Sequence, residues 1–210
     1  MTRFGTWLAL VVLLTACQNE THPAFSPALT PTPHAAPTAA VLQSGDVPAG
    51  LTACAGSGPM DVYLSVLESS EPALAGRITD QWLGLLKIGA SAGAISVFAA
   101  DSSACKAELG TTTTTKAMAS FVARFADESQ ADRAWESGIF GFAPPPPGQL
   151  TPGLTLGTST GLGVRSFTYE RPSVRLACWR HSVYVALVVV SNLELNTFKA
   201  ATAAVDARLD

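Results

Sequence analysis

Two predicted strands near the C-terminus, Val174-Arg-Leu-Ala-Cys-Trp-Arg-His181 and Val183-Tyr-Val-Ala-Leu-Val-Val-Val-Ser191, decide the fold of this chain. The first strand alternates, with Val174, Leu176 and Cys178 on one face and the intervening residues on the other. The second strand is apolar on both faces, which indicates a central strand covered on both sides. The pair therefore predicts a sheet that lies between two layers of other elements.

Working outward from this pair, the hydrophobic patterns predict further strands and four helices. The strands are Val164–Glu170, Ala94–Ala99 and Ala119–Ala126; the helices are Thr79–Ile88, Asp101–Leu109, the segment from Asp127 to Ser137, and Asn196–Leu209. Strands and helices are mixed, and the C-terminal half is rich in hairpins. This order predicts an α+β fold, an antiparallel sheet with helices packed mainly on one face.

A possible internal repeat links two of these segments. Phe98–Ala107 reads FAADSSACKA and Phe125–Ala134 reads FADESQADRA, so five residues coincide at an offset of 27 positions. One interpretation is a duplicated strand–helix unit. The other is that both segments obey the same rules for strand ends and helix caps.

The composition excludes several classes of protein. Of the 210 residues 48% are hydrophobic and 14% charged, and the net charge is −3. A chain this apolar does not stay disordered throughout. Because there is no excess of basic residues, we expect no nucleic-acid partner. No second long apolar run suggests a multi-span membrane protein.

The N-terminus has the features of an export signal. Arg3 is followed by a ten-residue apolar run, Trp7–Ala16, which is too short to span a membrane. Leu14-Thr15-Ala16-Cys17 resembles the bacterial lipobox, in which the cysteine is acylated and becomes the mature N-terminus. The resemblance implies a signal peptide at 1–16 and lipidation at Cys17. We therefore expect attachment to the cell membrane by a lipid anchor, on the extracytoplasmic side.

A tether is predicted to follow the anchor. Residues 17–40 are rich in Pro, Thr and Ala, and such a stretch cannot bury enough surface to fold. Residues 41–210 are then expected to form a single globular domain, which is an ordinary size for one core.

Three cysteines remain in the predicted domain. Cys178 shares a buried strand face with apolar residues and is interpreted as a small hydrophobic side chain. Cys54 and Cys105 are the predicted disulfide, because an exported domain meets an oxidising compartment. A bridge that includes Cys178 is the alternative.

The sequence offers little for catalysis. The only histidine of the predicted domain is His181, which we interpret as a turn residue on the surface. No nucleophile elbow, phosphate loop or metal-ligand spacing occurs, so we expect no cofactor and no metal. Paired carboxylates remain a possible catalytic device, since glycosidases need no histidine.

Four residues are candidates for binding. Phe140 and Phe142 lie in the long irregular segment Ile139–Gly163, and such segments are often functional. These rings either line a groove or fold back onto the sheet. Arg165 and Trp179 either contribute to a cationic and aromatic patch or belong to an ordinary exposed sheet face.

The C-terminal pattern resembles known exported domains. From Leu162 to Val190 it runs loop glycine, strand, turn, strand, then Arg180-His181-Ser182 and an apolar strand, and an Ala-rich helix closes the chain. This is similar to the C-terminal half of exported bacterial lipoproteins and to the extracytoplasmic sensor domain of PknH-type kinases. The resemblance implies binding or sensing of an unknown ligand or protein partner, and it carries over no individual site residue.

Two alternatives to a binding module stay open. One is a cell-envelope hydrolase that uses carboxylates, and the other is an accessory subunit of a membrane complex. Two carboxylates across a cleft would favour the hydrolase, and a smooth or apolar groove would favour the binding module.

Overall fold

A computed structural model of the chain describes residues 34–146, 148–149 and 151–209. The predicted signal peptide, Cys17 and the tether up to residue 33 lie outside these residues. In the described ranges, no helix is long and apolar enough to cross a membrane.

An eight-stranded sheet forms the centre of the fold, and every strand pairing in it is antiparallel. The strands are β1 (Thr52–Ala53), β2 (Gly58–Pro59), β3 (Ala90–Ala99), β4 (Ala117–Phe125), β5 (Leu154–Leu156), β6 (Ser166–Glu170), β7 (Val174–His181) and β8 (Tyr184–Ser191). Their order is β1-β3-β4-β8-β7-β6-β5, and β2 also pairs with β3. The predicted α+β class with an antiparallel sheet is confirmed.

The strand predicted to be central is central. β8 lies between β4 and β7, and all of its residues are buried. Because its two faces are both apolar, it can be covered on both sides. The alternation of β7 is also as predicted, since Leu176 and Cys178 face one core and Ala177 and Trp179 face the other.

Helices cover both faces of the sheet. They are α1 (Pro37–Ala40), α2 (Met60–Ser70), α3 (Pro72–Ile88), α4 (Glu128–Ser137) and α5 (Leu195–Asp206). Buried side chains of α2, α3 and α4 belong to one core, and those of α5 and the segment around α1 belong to the other. Three of the five described helices therefore lie on one face of the sheet, as predicted, and the other two lie on the opposite face.

The folded region extends further toward the N-terminus than predicted. Pro37 and Ala40 are buried, and the Tyr184 hydroxyl donates a 2.6 Å hydrogen bond to the carbonyl of Ala35. The His34 ring lies edge-on to the same tyrosine ring, with centroids 5.9 Å apart. Residues 34–40 thus pack on the domain, and the predicted boundary at residue 41 is too late.

The suggested internal repeat does not fold as a repeat. The second segment is a strand followed by α4, whose N-terminus is capped by Asp127 accepting from the backbone N–H of Gln130. The first segment ends β3 and continues into two short 3-10 turns, Ala104–Lys106 and Glu108–Gly110, instead of an α-helix. The shared residues therefore reflect common rules for strand ends and turns.

The predicted disulfide is present. Cys54 and Cys105 are bonded, and Cys178 is a buried free thiol. Burial raises the pKa of the Cys178 thiol far above its ordinary value, so this group stays protonated and unreactive. The bond joins the segment around β1 to the turns that follow β3.

Candidate functional site

The two candidate phenylalanines fold back onto the core. Phe140 is 5% exposed, and its ring meets Phe121 edge-on with centroids 4.7 Å apart. Phe142 is half-buried against the same core, and its backbone exchanges two hydrogen bonds with Ile139. Both rings pack against the core, which fits the interpretation that they fold back onto the sheet.

The candidate tryptophan is also buried. Trp179 has no exposed surface and lies in the core on the opposite face of the sheet from Phe140. Because a ring without exposure cannot contact a partner, the predicted cationic and aromatic patch does not form around it.

Arg165 is committed to ion pairs. Its guanidinium lies 5.6 Å from the centre of the Trp135 ring and within 3.5 Å of carboxylates on Asp132 and Glu136. Arg180 makes a 2.9 Å bond to Asp132 as well. These contacts tie α4 to the strands β6 and β7, so the arginines hold a helix in place.

An open cleft lies on the opposite face of the sheet from α4, beside the edge formed by β5 and β6. α5 packs on β7 and β8, while β6 and β5 extend the sheet beyond this helix. The 3-10 turn Gly157–Thr160 contacts β5 and β6. A cleft of about 380 Å³ separates the turn from the helix. We call it the α5 cleft, and its lining residues are Thr155, Ser159, Thr160, Gly161, Leu162, Thr168, Glu170, Phe198, Lys199, Thr202, Ala203 and Asp206.

Two threonines on neighbouring strands line the sheet side of the α5 cleft. Thr155 of β5 is directly opposite Thr168 of β6 in the register of the antiparallel pair. Thr168 is 8% exposed, yet its hydroxyl makes no hydrogen bond within the described part of the chain. The Thr155 hydroxyl makes none there either. Because the Thr168 hydroxyl reaches the open cleft, both hydroxyls can donate to and accept from a ligand there.

The turn side of the cleft is held by a second group of hydroxyls. Thr160 Oγ1 and Ser166 Oγ lie 2.6 Å apart, and Thr160 accepts a hydrogen bond from the backbone N–H of Leu162. Ser166 Oγ also donates toward the carbonyl of Gly163 at 2.6 Å. These contacts fix the turn, which leaves Ser159 exposed at the edge.

Three charged groups border the α5 cleft. Glu170 comes from β6, and Lys199 and Asp206 come from α5. Asp206 is already engaged: its Oδ1 accepts a 2.8 Å hydrogen bond from Trp179 Nε1 and lies 3.3 Å from His181 Nδ1. Lys199 and Glu170 form no ion pair with any described residue, so both keep their charges available to a ligand.

His181 is less exposed than the surface turn residue that the sequence predicted. It ends β7, but its side chain is two-thirds buried and contacts the Asp206 carboxylate. The histidine thereby helps to orient Asp206, which lines the cleft.

The sequence predicts one part of this site. The irregular segment Ile139–Gly163 is a predicted functional segment, and its second half lines the cleft. The cleft residues on β6 and α5 were missed. A signal for them existed, because Thr168 and Glu170 alternate with aromatic residues along one strand.

Together the fold and the cleft define an antiparallel α+β domain with an opening of the size that holds a small molecule. The chain matches no family model, no curated protein and no solved structure.

Proposed function

We propose that this chain is a lipid-anchored extracytoplasmic binding module whose ligand occupies the α5 cleft. The single observation that carries binding is the pair of hydroxyls on Thr155 and Thr168, which lie opposite each other in the cleft and have no hydrogen-bond partner among the described residues. Both hydroxyls can therefore donate to and accept from a ligand.

Two further observations support the location outside the cytoplasm. The lipobox-like sequence that ends at Cys17 fits export and acylation. The Cys54–Cys105 disulfide fits an oxidising compartment, since such bonds are rare in the cytoplasm of mesophiles.

Native mass spectrometry tests the binding role. The full mature chain is purified in mild detergent from the membranes of cells that produce it. We expect a non-covalent small-molecule adduct whose occupancy falls in Thr168→Val. A matched control is Thr114→Val, which changes an exposed threonine of the run 111–115. A wild-type chain without an adduct, or equal occupancy in the two variants, would contradict the binding role.

Metabolic labelling tests the anchor. Cys17→Ser is expected to abolish palmitate incorporation and release the chain from the membrane fraction. Cys178→Ser is the matched control, because that thiol is buried in the core. Membrane retention of the Cys17→Ser chain would contradict lipid anchoring.

A carboxylate-dependent hydrolase is the second candidate. Glu170 and Asp206 border the same cleft from the sheet and from the helix, which is the arrangement named above as favouring an enzyme. The binding module is preferred because Asp206 Oδ1 already accepts from Trp179, which limits its use as a nucleophile or proton donor. Release of nitrophenol from nitrophenyl glycosides, lost in Glu170→Gln, would favour the hydrolase instead.

A further inference from the structure

The α5 cleft has a charge pattern unlike that of an ion-binding site. Lys199 is its only cation among the described lining residues, and Lys199 and Asp206 are seven residues apart on one helix. That spacing corresponds to about 10 Å along the helix axis, so the two groups do not converge on one atom. A phosphate or carboxylate ligand is recognised best by several cationic groups, whereas this lining has one cation and two carboxylates.

Hydroxyl groups dominate the lining instead. Thr155 and Thr168 face each other across β5 and β6, and directly opposite residues of this kind have Cβ atoms about 5 Å apart. Each hydroxyl both donates and accepts a hydrogen bond. The pair is therefore suited to a ligand that presents several hydroxyl groups of its own at a fixed spacing.

The carboxylates of Glu170 and Asp206 at the cleft border can accept hydrogen bonds from the hydroxyl groups of a ligand. Glu170 has no ion-pair partner among the described residues. An ionised carboxylate accepts hydrogen bonds only, and ligand hydroxyl groups supply the donors. Asp206 is held in place by Trp179 and His181, which reduces the ordering cost of binding at this carboxylate.

The apolar lining and the volume of the cleft restrict the class of ligand further. Leu162 lines the cleft between the polar groups, and the Phe198 ring, 3% exposed, packs in the core beneath it. Leu162 offers carbon surface to the C–H groups of a ring. The volume of about 380 Å³ lies at the lower end of the range for small-molecule sites.

We propose that the α5 cleft binds a neutral saccharide of one or two rings, an inference that rests on the binding function proposed above. Thr155 and Thr168 hydrogen bond to ring hydroxyls from the sheet side. Glu170 and Asp206 accept from hydroxyls at the border of the cleft. Leu162 contacts the ring carbons.

Amide chemical-shift mapping on the isotope-labelled full mature chain tests this inference. The neutral probes are maltose, cellobiose, trehalose and diacetylchitobiose, each added at millimolar concentration. The charged probes are glucuronic acid, glucose 6-phosphate, glucosamine and glycylglycine. We expect one or more neutral probes to shift the amides of Thr155, Thr168 and Asp206, and the charged probes to bind more weakly.

Substitutions at one position make the test specific. Thr168→Val keeps the shape and removes the hydroxyl, so we expect affinity to fall about tenfold, the effect of losing one hydrogen bond. Thr168→Ser keeps the hydroxyl and is expected to restore most of the affinity. Thr114→Val is expected to change nothing.

The outcomes separate this inference from the proposed function. If no neutral probe shifts the cleft amides, if a charged probe binds more tightly, or if Thr168→Val binds like the wild type, the saccharide assignment fails. When native mass spectrometry then still finds a Thr168-dependent adduct of another class, the binding module stands. When it finds none, both proposals fail.

Discussion

At the residue scale, burial and hydrogen bonding decide which polar side chains serve the fold and which are left for a ligand. Ser96 and Ser120 are both buried, and their hydroxyls lie 2.9 Å apart. Ser191, also buried, donates to the carbonyl of Gly110. Thr168 is more exposed than these serines, and its hydroxyl has no such contact in the described part of the chain. This hydroxyl is therefore left for water or a ligand in the cleft.

This difference predicts unequal effects on stability. Replacing Thr168 by valine removes a hydroxyl without a protein partner while keeping the branched shape that strands favour. We expect the free energy of unfolding in urea to change by less than about 0.5 kcal/mol. Ser120→Ala is the matched control, and it should lower the stability because Ser120 Oγ accepts from the backbone N–H of Leu42. A clear loss of stability in Thr168→Val would show that the hydroxyl has a structural partner.

The same scale explains why Phe140 could not be placed from the sequence. An aromatic residue in an irregular segment has no periodicity that assigns it to a core or to a surface. Phe140 adopts a left-handed backbone, with φ of 48°, which is rare for a bulky residue. Its ring contacts Phe121 in the core, and only the tertiary structure specifies that contact.

At the element scale, the alternation of residues along the strands predicted their positions, whereas the spacing of apolar residues did not locate every helix. The predicted bounds of β7 agree with the structure, because its alternation continues up to a turn. α2 was missed although Met60, Tyr63 and Leu67 follow helical spacing and are buried. The helix predicted over Thr79–Ile88 begins earlier, at Pro72, and its buried residues include Ile78 and Leu85, whereas Leu83 and Leu86 are exposed.

The two ends of the described chain are joined by one ion pair. Arg208, just after α5, donates to both carboxylate oxygens of Asp46, at 2.8 and 2.6 Å. Asp46 also accepts a 2.7 Å hydrogen bond from the backbone N–H of Gln43. The pair joins the segment after α1 to the end of α5, on the same face of the sheet.

This pair predicts a pH dependence. The hydrogen bonds from Arg208 hold the pKa of the Asp46 carboxyl below its ordinary value of 3.8. A carboxyl group with a lowered pKa in the folded state stabilises the protein above its unfolded pKa, and this contribution is lost as the pH falls through the folded pKa. We therefore expect Asp46→Asn to be less stable than the wild type at neutral pH, with the difference shrinking below about pH 4.

Thermal unfolding measured from pH 7 to pH 2 checks this expectation. Asp80→Asn, which changes an exposed carboxylate in the middle of α3, is the control and should follow the wild type throughout. A constant difference between Asp46→Asn and the wild type across this range would contradict the role of the pair.

At the scale of the whole molecule, the sequence predicted the class of fold and the disulfide but not the site. Fold class follows from strand patterning, which is local, and the disulfide follows from the number of cysteines and the burial of Cys178. The α5 cleft requires knowing that β5 and β6 extend beyond α5. This arrangement depends on the order of the strands in the sheet. The residues around Thr155, Thr168 and Asp206 in the sequence do not specify that order.

The disulfide predicts how the whole domain responds to reduction. Cys54 and Cys105 are 51 residues apart, and closing a loop of this length stabilises the folded state by about 4 kcal/mol in the chain-entropy description. We expect a similar loss of unfolding free energy when wild type is measured in dithiothreitol and when the Cys54→Ser, Cys105→Ser double variant is measured without it. Dithiothreitol should leave the double variant unchanged, and Cys178→Ala serves as a control that keeps its response to the reductant. A wild-type unfolding curve that does not move on reduction, with loss of the bond verified by mass, would mean that β1 and the turns after β3 are held together without this bond.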